Sequence, residues 1–278
     1  MDSRTDKARG HLKKSDSPPL LSLVLPVYNE GCNITAVLEQ IAGQVHHPLM
    51  VILVYDQDDD STLPPARKAA GTLPFQVILL KNKYGRGALN AIKTGMEYAE
   101  SEFVVVTMAD LSDPPAVINE MLESAQKQNA DIVCASRYMR GGRQNGGPWL
   151  KSSLSKMAGN LLYYLAALPT HDPTNSFKLY RKTMLKQIPI KSDGGFELGI
   201  ELVVKAREKK FTITEVPTSW EDRQDGKSNF KFKKWLPKYL KWFLRAFCSK
   251  EAFQRMLIIS VILFLCFWTA CKFLAHSN

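Results

Sequence analysis

Apolar residues occur in short, dense runs separated by stretches of mixed polarity. Leu20–Val27, Met50–Tyr55, Phe75–Leu80, Phe103–Met108 and Asp131–Ala135 are rich in Val, Ile and Leu, and turn or cap chemistry bounds them. Runs this short, bounded this way, predict buried strands. Helices are predicted between them, over about Asn33–Ala42, Pro65–Ala70, from the Asn82–Gly87 loop through Tyr98, and over about Pro115–Gln128. Strands that alternate with helices in this way imply an α/β fold, with a mainly parallel central sheet covered by helices on both faces. No internal repeat is present.

Beyond Ser136 the pattern loosens. Arg140–Pro148 is glycine-rich and reads as a loop. Trp149–Leu168 reads as a helix, Ser176–Tyr180 as a short strand, Phe196–Lys209 as an amphipathic helix and Phe211–Pro217 as a strand, with the polar loop Glu221–Ser228 after it. From Phe232 the apolar residues fall at 232, 235, 236, 239, 240, 243 and 247, one face of a helix. Pro237 predicts that the regular helix begins there.

Charge changes the reading of this last part. The net charge of the 278-residue chain is +10, and nine Lys/Arg against one acid lie between Lys227 and Arg255. A basic face interleaved with Trp235, Tyr239 and Trp242 fits a helix lying at a membrane interface. A nucleic-acid partner is disfavoured, because a hydrophobic segment follows directly. Met256–Cys271 is sixteen residues without a charge. Flanked by Arg255 and Lys272, it is short for a span but extendable to Ala275 by snorkelling. The positive-inside rule would then place the preceding domain in the cytoplasm, with a single pass at the C-terminus. The five cysteines lack CxxC spacing, which argues against zinc and against a disulfide framework. Met1–Pro19 is polar, with no apolar run, and reads as a disordered tail, not a signal peptide. The expected organisation is a tail over 1–19, one α/β domain over 20–230, a basic amphipathic helix over 231–250 and a membrane helix over 254–275.

The chemistry sits at strand ends. Glu30, Asp56 and Asp110 each follow a predicted strand, and ligands of open α/β sheets bind outside the carboxyl ends of the strands. One such acid is ordinarily a cap or turn residue. Three at carboxyl ends of strands of one sheet suggest a polar ligand, with Asp110 and its neighbours Ser112 or Asp113 offering hard oxygens to Mg²⁺ or Mn²⁺. Gly85-Arg86-Gly87 before a helix lacks the third glycine of a dinucleotide fingerprint, since Asn90 stands there. Lys83 and Arg86 in this loop are candidate phosphate contacts.

These motifs carry a resemblance. Leu-Pro-Val-Tyr-Asn-Glu at 25–30, Asn82–Gly87, Ala-Asp-Leu-Ser-Asp-Pro-Pro at 109–115, Ser-Arg-Tyr at 136–138, and Glu215-Val-Pro followed by Arg223-Gln-Asp-Gly-Lys-Ser228 resemble the family-2 glycosyltransferases. Within these the chain is similar to the dolichyl/polyprenyl-phosphate sugar synthases, over roughly Leu20–Leu244. The resemblance implies a GT-A nucleotide-diphospho-sugar transferase fold, a nucleotide-diphosphate sugar donor, a divalent metal and inversion at the anomeric carbon. By position it assigns Pro26, Tyr28, Glu30 and Asp56 to the nucleoside, with Lys83, Arg86, Gly87 and Ala109 beside them. It assigns Asp110 and Ser112 to the metal and diphosphate, and Arg137, Arg223, Lys227 and Ser228 to catalysis and the acceptor phosphate. Two motifs depart from the family. Met108-Ala109-Asp110 stands where Asp-Ala-Asp is usual, and Tyr55-Asp56-Gln57-Asp58 where Asp-Asp-Gly-Ser is usual.

The implied partners are the nucleotide sugar, a polyprenyl phosphate and a membrane, and a homo-oligomer is compatible with the sequence. Transfer to a lipid or saccharide hydroxyl is the rival enzymatic reading. It would need a general base, for which Asp172 and Glu197 are the candidates. A non-catalytic membrane module that keeps the fold is the rival outside enzymes.

Overall fold

The computed structural model describes residues 19–222 and 232–262. Alternation along the strands sends odd and even positions to opposite faces of one sheet. In β1 (Leu21–Val27), Leu21, Leu23 and Leu25 pack on one side and Val24 on the other. The first side is covered by α1 (Ile34–Gln44), α2 (Leu63–Ala70) and α4 (Val117–Lys127). The second is covered by α3 (Ala88–Tyr98), α5 (Trp149–Tyr164), α7 (Leu198–Glu208) and α8 (Phe232–Ala246). The four-residue helix α6 (Lys182–Leu185) precedes α7 in the chain. Each fully buried Leu, Ile or Val stabilises by about 1.5–3 kcal/mol, so these two clusters hold the sheet edge in place.

The remaining strands are β2 (Leu49–Tyr55), β3 (Gln76–Lys81), β4 (Phe103–Val106), β5 (Ile132–Ser136), β7 (Lys178–Arg181) and β8 (Ile213–Pro217), and the sheet order is β3-β2-β1-β4-β7-β5-β8. The pairs β1·β2, β1·β4, β2·β3 and β5·β8 are parallel. β7 runs antiparallel between β4 and β5. This insertion matters for the site: the loop that enters β7 lies at the edge where β1, β2, β4 and β5 end.

Three expectations are corrected. The stretch 140–148 is not all loop, because β6 (Arg143–Asn145) pairs in parallel with β9 (Ser219–Glu221) as a separate ribbon. Its Arg143 N–H donates to the Thr218 carbonyl at 2.9 Å. Secondly, α8 begins at Phe232 and carries Pro237 inside it. Thirdly, the apolar stripe of α8 is divided between two surroundings. Trp242 is 2% exposed, and it packs with Tyr239, Phe243 and Ala246 against the domain. Lys205 of α7 lies 5.0 Å over the Trp242 ring. Lys238 and Arg245 pair with Asp193 and Glu208 of the domain at 2.9 and 2.7 Å. Leu236, Leu240 and Leu244 stay exposed. Positive charges that looked unopposed along the sequence therefore meet acids brought by the fold.

Residues 250–262 form a further helix, α9, with Phe253, Leu257, Ile258, Val261 and Ile262 exposed. Among the described residues no helix is long and apolar enough to cross a membrane. Residues 1–18 of the expected tail and 263–275 of the expected membrane helix lie outside the described residues.

Candidate active site

Parallel pairing brings three predicted strand ends to one edge. Val27 is level with Tyr55, and Val24 with Val106. The chain therefore delivers Tyr28–Glu30, Asp56 and Asp110 side by side. Pro26 is buried within β1, and Tyr28, 51% exposed, stands at the rim. Asn29 adopts φ 56°, a left-handed turn. That turn is held by Asp60, a buried acid not singled out from sequence, whose carboxylate accepts the Asn29 N–H at 3.1 Å. Asp60 also accepts the Thr62 N–H at 2.8 Å, and Thr62 Oγ1 accepts the Glu30 N–H at 2.9 Å. The Glu30 carboxylate in turn accepts from Asn33 Nδ2 at 3.0 Å.

Asp56 ties the second strand to the glycine loop. It accepts from Asn82 Nδ2 at 2.8 Å and from the Gly87 N–H at 2.9 Å. Gly87 caps α3 with φ 124°, a conformation that glycine adopts without steric penalty. Arg86 is exposed on this loop. Lys83 is paired with Glu97 of α3 at 2.6 Å, away from the strand-end acids.

Asp110 follows β4 in a tight turn. The Ser112 N–H donates to Asp110 Oδ1 at 3.2 Å, and Leu111 between them has φ 59°. Ala109, Ser112 and Asp113 are buried. Ser112 Oγ and Asp113 Oδ1 are buried polar atoms with no hydrogen-bond partner in the structure. Burial, reinforced by the neighbouring Asp110 carboxylate and opposed by Arg137, pushes the Asp113 carboxyl up to about 7. Hard oxygens left unsatisfied beside a second carboxylate are a donor set that suits Mg²⁺ or Mn²⁺. Among the described residues, no group of three or more His, Cys, Asp or Glu gathers as a metal site.

Arg137 follows β5 and meets Asp172 from the loop that enters β7. Nε donates to Asp172 Oδ2 at 2.7 Å, Nη2 to Oδ1 at 3.0 Å, and the Arg137 backbone N–H to Oδ2 at 3.2 Å. Burial works against this charge, but Asp172 outweighs it and the guanidinium holds its proton more tightly than usual. Asp172 is thus a partner of Arg137, not a base awaiting a substrate proton. Glu197 is likewise engaged, accepting the N–H groups of Gly194 and Gly195 at 2.8 and 2.7 Å.

A cavity of about 570 Å³ joins Asp110, Asp113 and Arg137 to the helices α5 and α8. Met108, Asp110, Asp113, Arg137 and Asn175 line its polar end. The remainder runs between Leu154, Met157 and Leu161 of α5, Phe196 and Ile200 by α7, and Leu236, Tyr239, Leu240 and Phe243 of α8. Trp220 of β9 and Gln144 of β6 close one side. Both helices are readable in the sequence, α8 by its apolar period, but their convergence on one chamber is a tertiary fact. Arg223, Lys227 and Ser228 lie outside the described residues.

A parallel sheet that gathers acids at one edge, with an inserted antiparallel strand, defines a nucleotide-sugar transferase architecture of the GT-A type. The chain belongs to glycosyl transferase family 2, whose model matches residues 22–189. It is 28% identical over 237 residues to a dolichol-phosphate mannosyltransferase of Pyrococcus furiosus, the match covering 80% of this chain and 64% of that protein. It is 30% identical to a polyprenol monophosphomannose synthase of Mycolicibacterium smegmatis, over 74% of this chain and 79% of that one. A dodecaprenyl-phosphate galacturonate synthase of Rhizobium johnstonii is 28% identical, over 61% of this chain and 50% of that protein. The matches therefore span about two thirds of the Pyrococcus relative and half of the Rhizobium relative.

The fold is also that of glucosyl-3-phosphoglycerate synthase from Mycobacterium tuberculosis. The structure with Mn²⁺ and uridine diphosphate superposes with a TM-score of 0.62 at 15% identity, covering 82% of this chain and 80% of that one. A structure with Mg²⁺ and uridine diphosphate gives 0.61 at 15% identity, over 82% and 79% of the two chains.

Proposed function

We propose that this chain moves a sugar from a nucleotide-diphosphate sugar to a polyprenyl or dolichyl phosphate at a membrane surface. The observation that carries this reading is the single cavity with two characters. Asp110, Asp113 and Arg137 line it together with apolar side chains of α5, α7 and α8, among which Ser152, Ser155 and Gln144 are interspersed. An anionic headgroup on a long hydrocarbon fits this combination of charged groups and apolar walls.

The nucleoside would sit over Pro26, Tyr28, Glu30 and Asp56, with the glycine loop and Ala109 beside the diphosphate. Asp110 and Ser112 would hold Mg²⁺ or Mn²⁺, which when bound neutralises the diphosphate leaving group. Arg137, fixed by Asp172, positions the acceptor phosphate through charge-assisted hydrogen bonds. A phosphate oxygen attacks the anomeric carbon from the face opposite the leaving group, the bond to the diphosphate breaks, and the configuration inverts. A phosphate monoester is already anionic at neutral pH, so no strong base is required. That Asp172 and Glu197 are both committed to other partners favours this acceptor over a hydroxyl. Arg223, Lys227 and Ser228 are assigned to the phosphates by their motif alone.

Membrane attachment is supported by exposed apolar side chains shared by three helices, including Trp149 (77% exposed) and Met157 on α5, Leu244 on α8 and Leu257 on α9. Arg255 of α9 donates to the Tyr163 carbonyl of α5 at 3.0 Å, which ties two of these helices together. Placement of the domain on the cytoplasmic side of a C-terminal anchor rests on the charge pattern. The test is incubation of the purified full chain with polyprenyl phosphate and a panel of nucleotide sugars. A glycosyl-lipid product from one donor is expected, and absence of any such product overturns the reading.

A further inference from the structure

We propose that Asp113 supplies the second carboxylate of the metal site, in place of the one missing at Met108. This deepens the reading above and rests on metal-assisted transfer. Four observations lead to it. Asp113 is 7% exposed, yet its carboxyl lines the cavity together with Asp110. Its Oδ1 has no hydrogen-bond partner, and neither has Oγ of Ser112, itself 3% exposed. A buried carboxylate oxygen without a partner is costly, and such orphans in a native fold call for an absent ligand. Thirdly, the backbone turns sharply between the two acids. Leu111 takes up a left-handed φ of 59°, and the Ser112 N–H closes onto Asp110. Residues 110 and 113 on either side of this turn line the same cavity. Finally, Met108 lines the same cavity. A thioether is a soft, neutral donor with little affinity for Mg²⁺ or Mn²⁺, which select hard oxygens.

The ordinary explanation for a buried acid here would be an ion pair with Arg137. That guanidinium is already gripped by both oxygens of Asp172. Asp113 shares the lining of one cavity with Asp110, and a divalent cation suits two carboxylates placed there. The pair Asp110 and Asp113, with Ser112 Oγ between them in sequence, gives the ion two carboxylates three residues apart instead of the usual two residues apart.

The experiment is a Mn²⁺ titration of the full chain followed by loss of the free-ion electron paramagnetic resonance signal, alone and with uridine or guanosine diphosphate. Wild type, D113N, D113S and the double variant M108D/D113N are compared, and the metal-free unfolding temperature of each is recorded. The expected result is that D113N and D113S weaken Mn²⁺ binding at least tenfold, while their metal-free unfolding temperatures stay at or above wild type. M108D/D113N is expected to recover most of the affinity. Unchanged Mn²⁺ affinity in D113N and D113S overturns the proposal, as does a wild-type chain that binds no Mn²⁺ with either nucleotide. Asp113-dependent Mn²⁺ binding in a chain that glycosylates no polyprenyl phosphate would overturn the acceptor and leave this site standing. Normal lipid glycosylation with Asp113-independent Mn²⁺ binding would do the reverse.

Discussion

Asp172 grips Arg137 through both carboxylate oxygens, with Nε–Oδ2 at 2.7 Å and Nη2–Oδ1 at 3.0 Å, and the two come from separate chain segments at one sheet edge. D172A leaves a buried guanidinium without its counter-charge, which should destabilise the fold by about 3–5 kcal/mol. R137K keeps a charge but not the planar fork, and should raise KM for polyprenyl phosphate more than KM for the donor. Urea unfolding checks the first outcome, and steady-state kinetics with each substrate varied checks the second.

A second prediction concerns the approach of α5 to this loop. A Cβ at Gly159 would run into the carbonyl oxygen of His171, one residue before Asp172, and backbone there cannot yield as a side-chain tip would. G159A should therefore cost at least about 1–3 kcal/mol, as over-packing does. A lowered unfolding temperature together with a raised acceptor KM is the expected pair of readouts, because α5 is also a wall of the cavity.

The predicted parallel strands were legible because each is a short, nearly pure apolar run whose burial on both faces leaves no polar alternation to confuse it. β1 and β2 differ from their predicted spans by one residue at the start. The sense of β7 was not legible, since Lys178–Arg181 pairs equally well in either direction and only its position between β4 and β5 decides. Asp56 and Asp110 were found because a strand end followed by an acid is a local signal. Asp60 acts through Asn29, 31 residues away, and no local pattern marks it; Asp172 stood out only as a candidate base, because its pairing with Arg137, 35 residues away, leaves no local signal. On α8 the sequence showed a helical period but not what each side of the stripe would meet.

That divided stripe gives a third prediction. W242A removes a fully packed ring and should cost about 3–5 kcal/mol. L244S and L257S replace exposed side chains and should change stability by no more than about 0.5 kcal/mol, the usual range for surface positions. The same two substitutions should weaken sedimentation of the chain with anionic liposomes. Thermal unfolding and liposome co-sedimentation, run in parallel, separate the two faces.

The cysteines should also separate. Burial pushes the Cys134 thiol up to about 11, with Lys178 opposing, whereas Cys32 and Cys248 are exposed. Because the thiolate is the reactive form, Cys134 should react with a maleimide at pH 7.5 about a hundredfold more slowly than the exposed pair. Peptide mass spectrometry before and after denaturation reads each site individually.

The cavity is assembled from chain segments in an order that has a consequence for biosynthesis. Its acidic floor and Arg137 are complete by residue 137, whereas the wall formed by Leu236, Tyr239, Leu240 and Phe243 comes a hundred residues later. A nascent chain emerging from the ribosome would thus possess its donor-side groups long before it could enclose a lipid. Under the proposed function, competence for the acceptor would arrive only with the helix that also carries exposed leucines, so completion of the chamber and arrival at a bilayer would become the same late event.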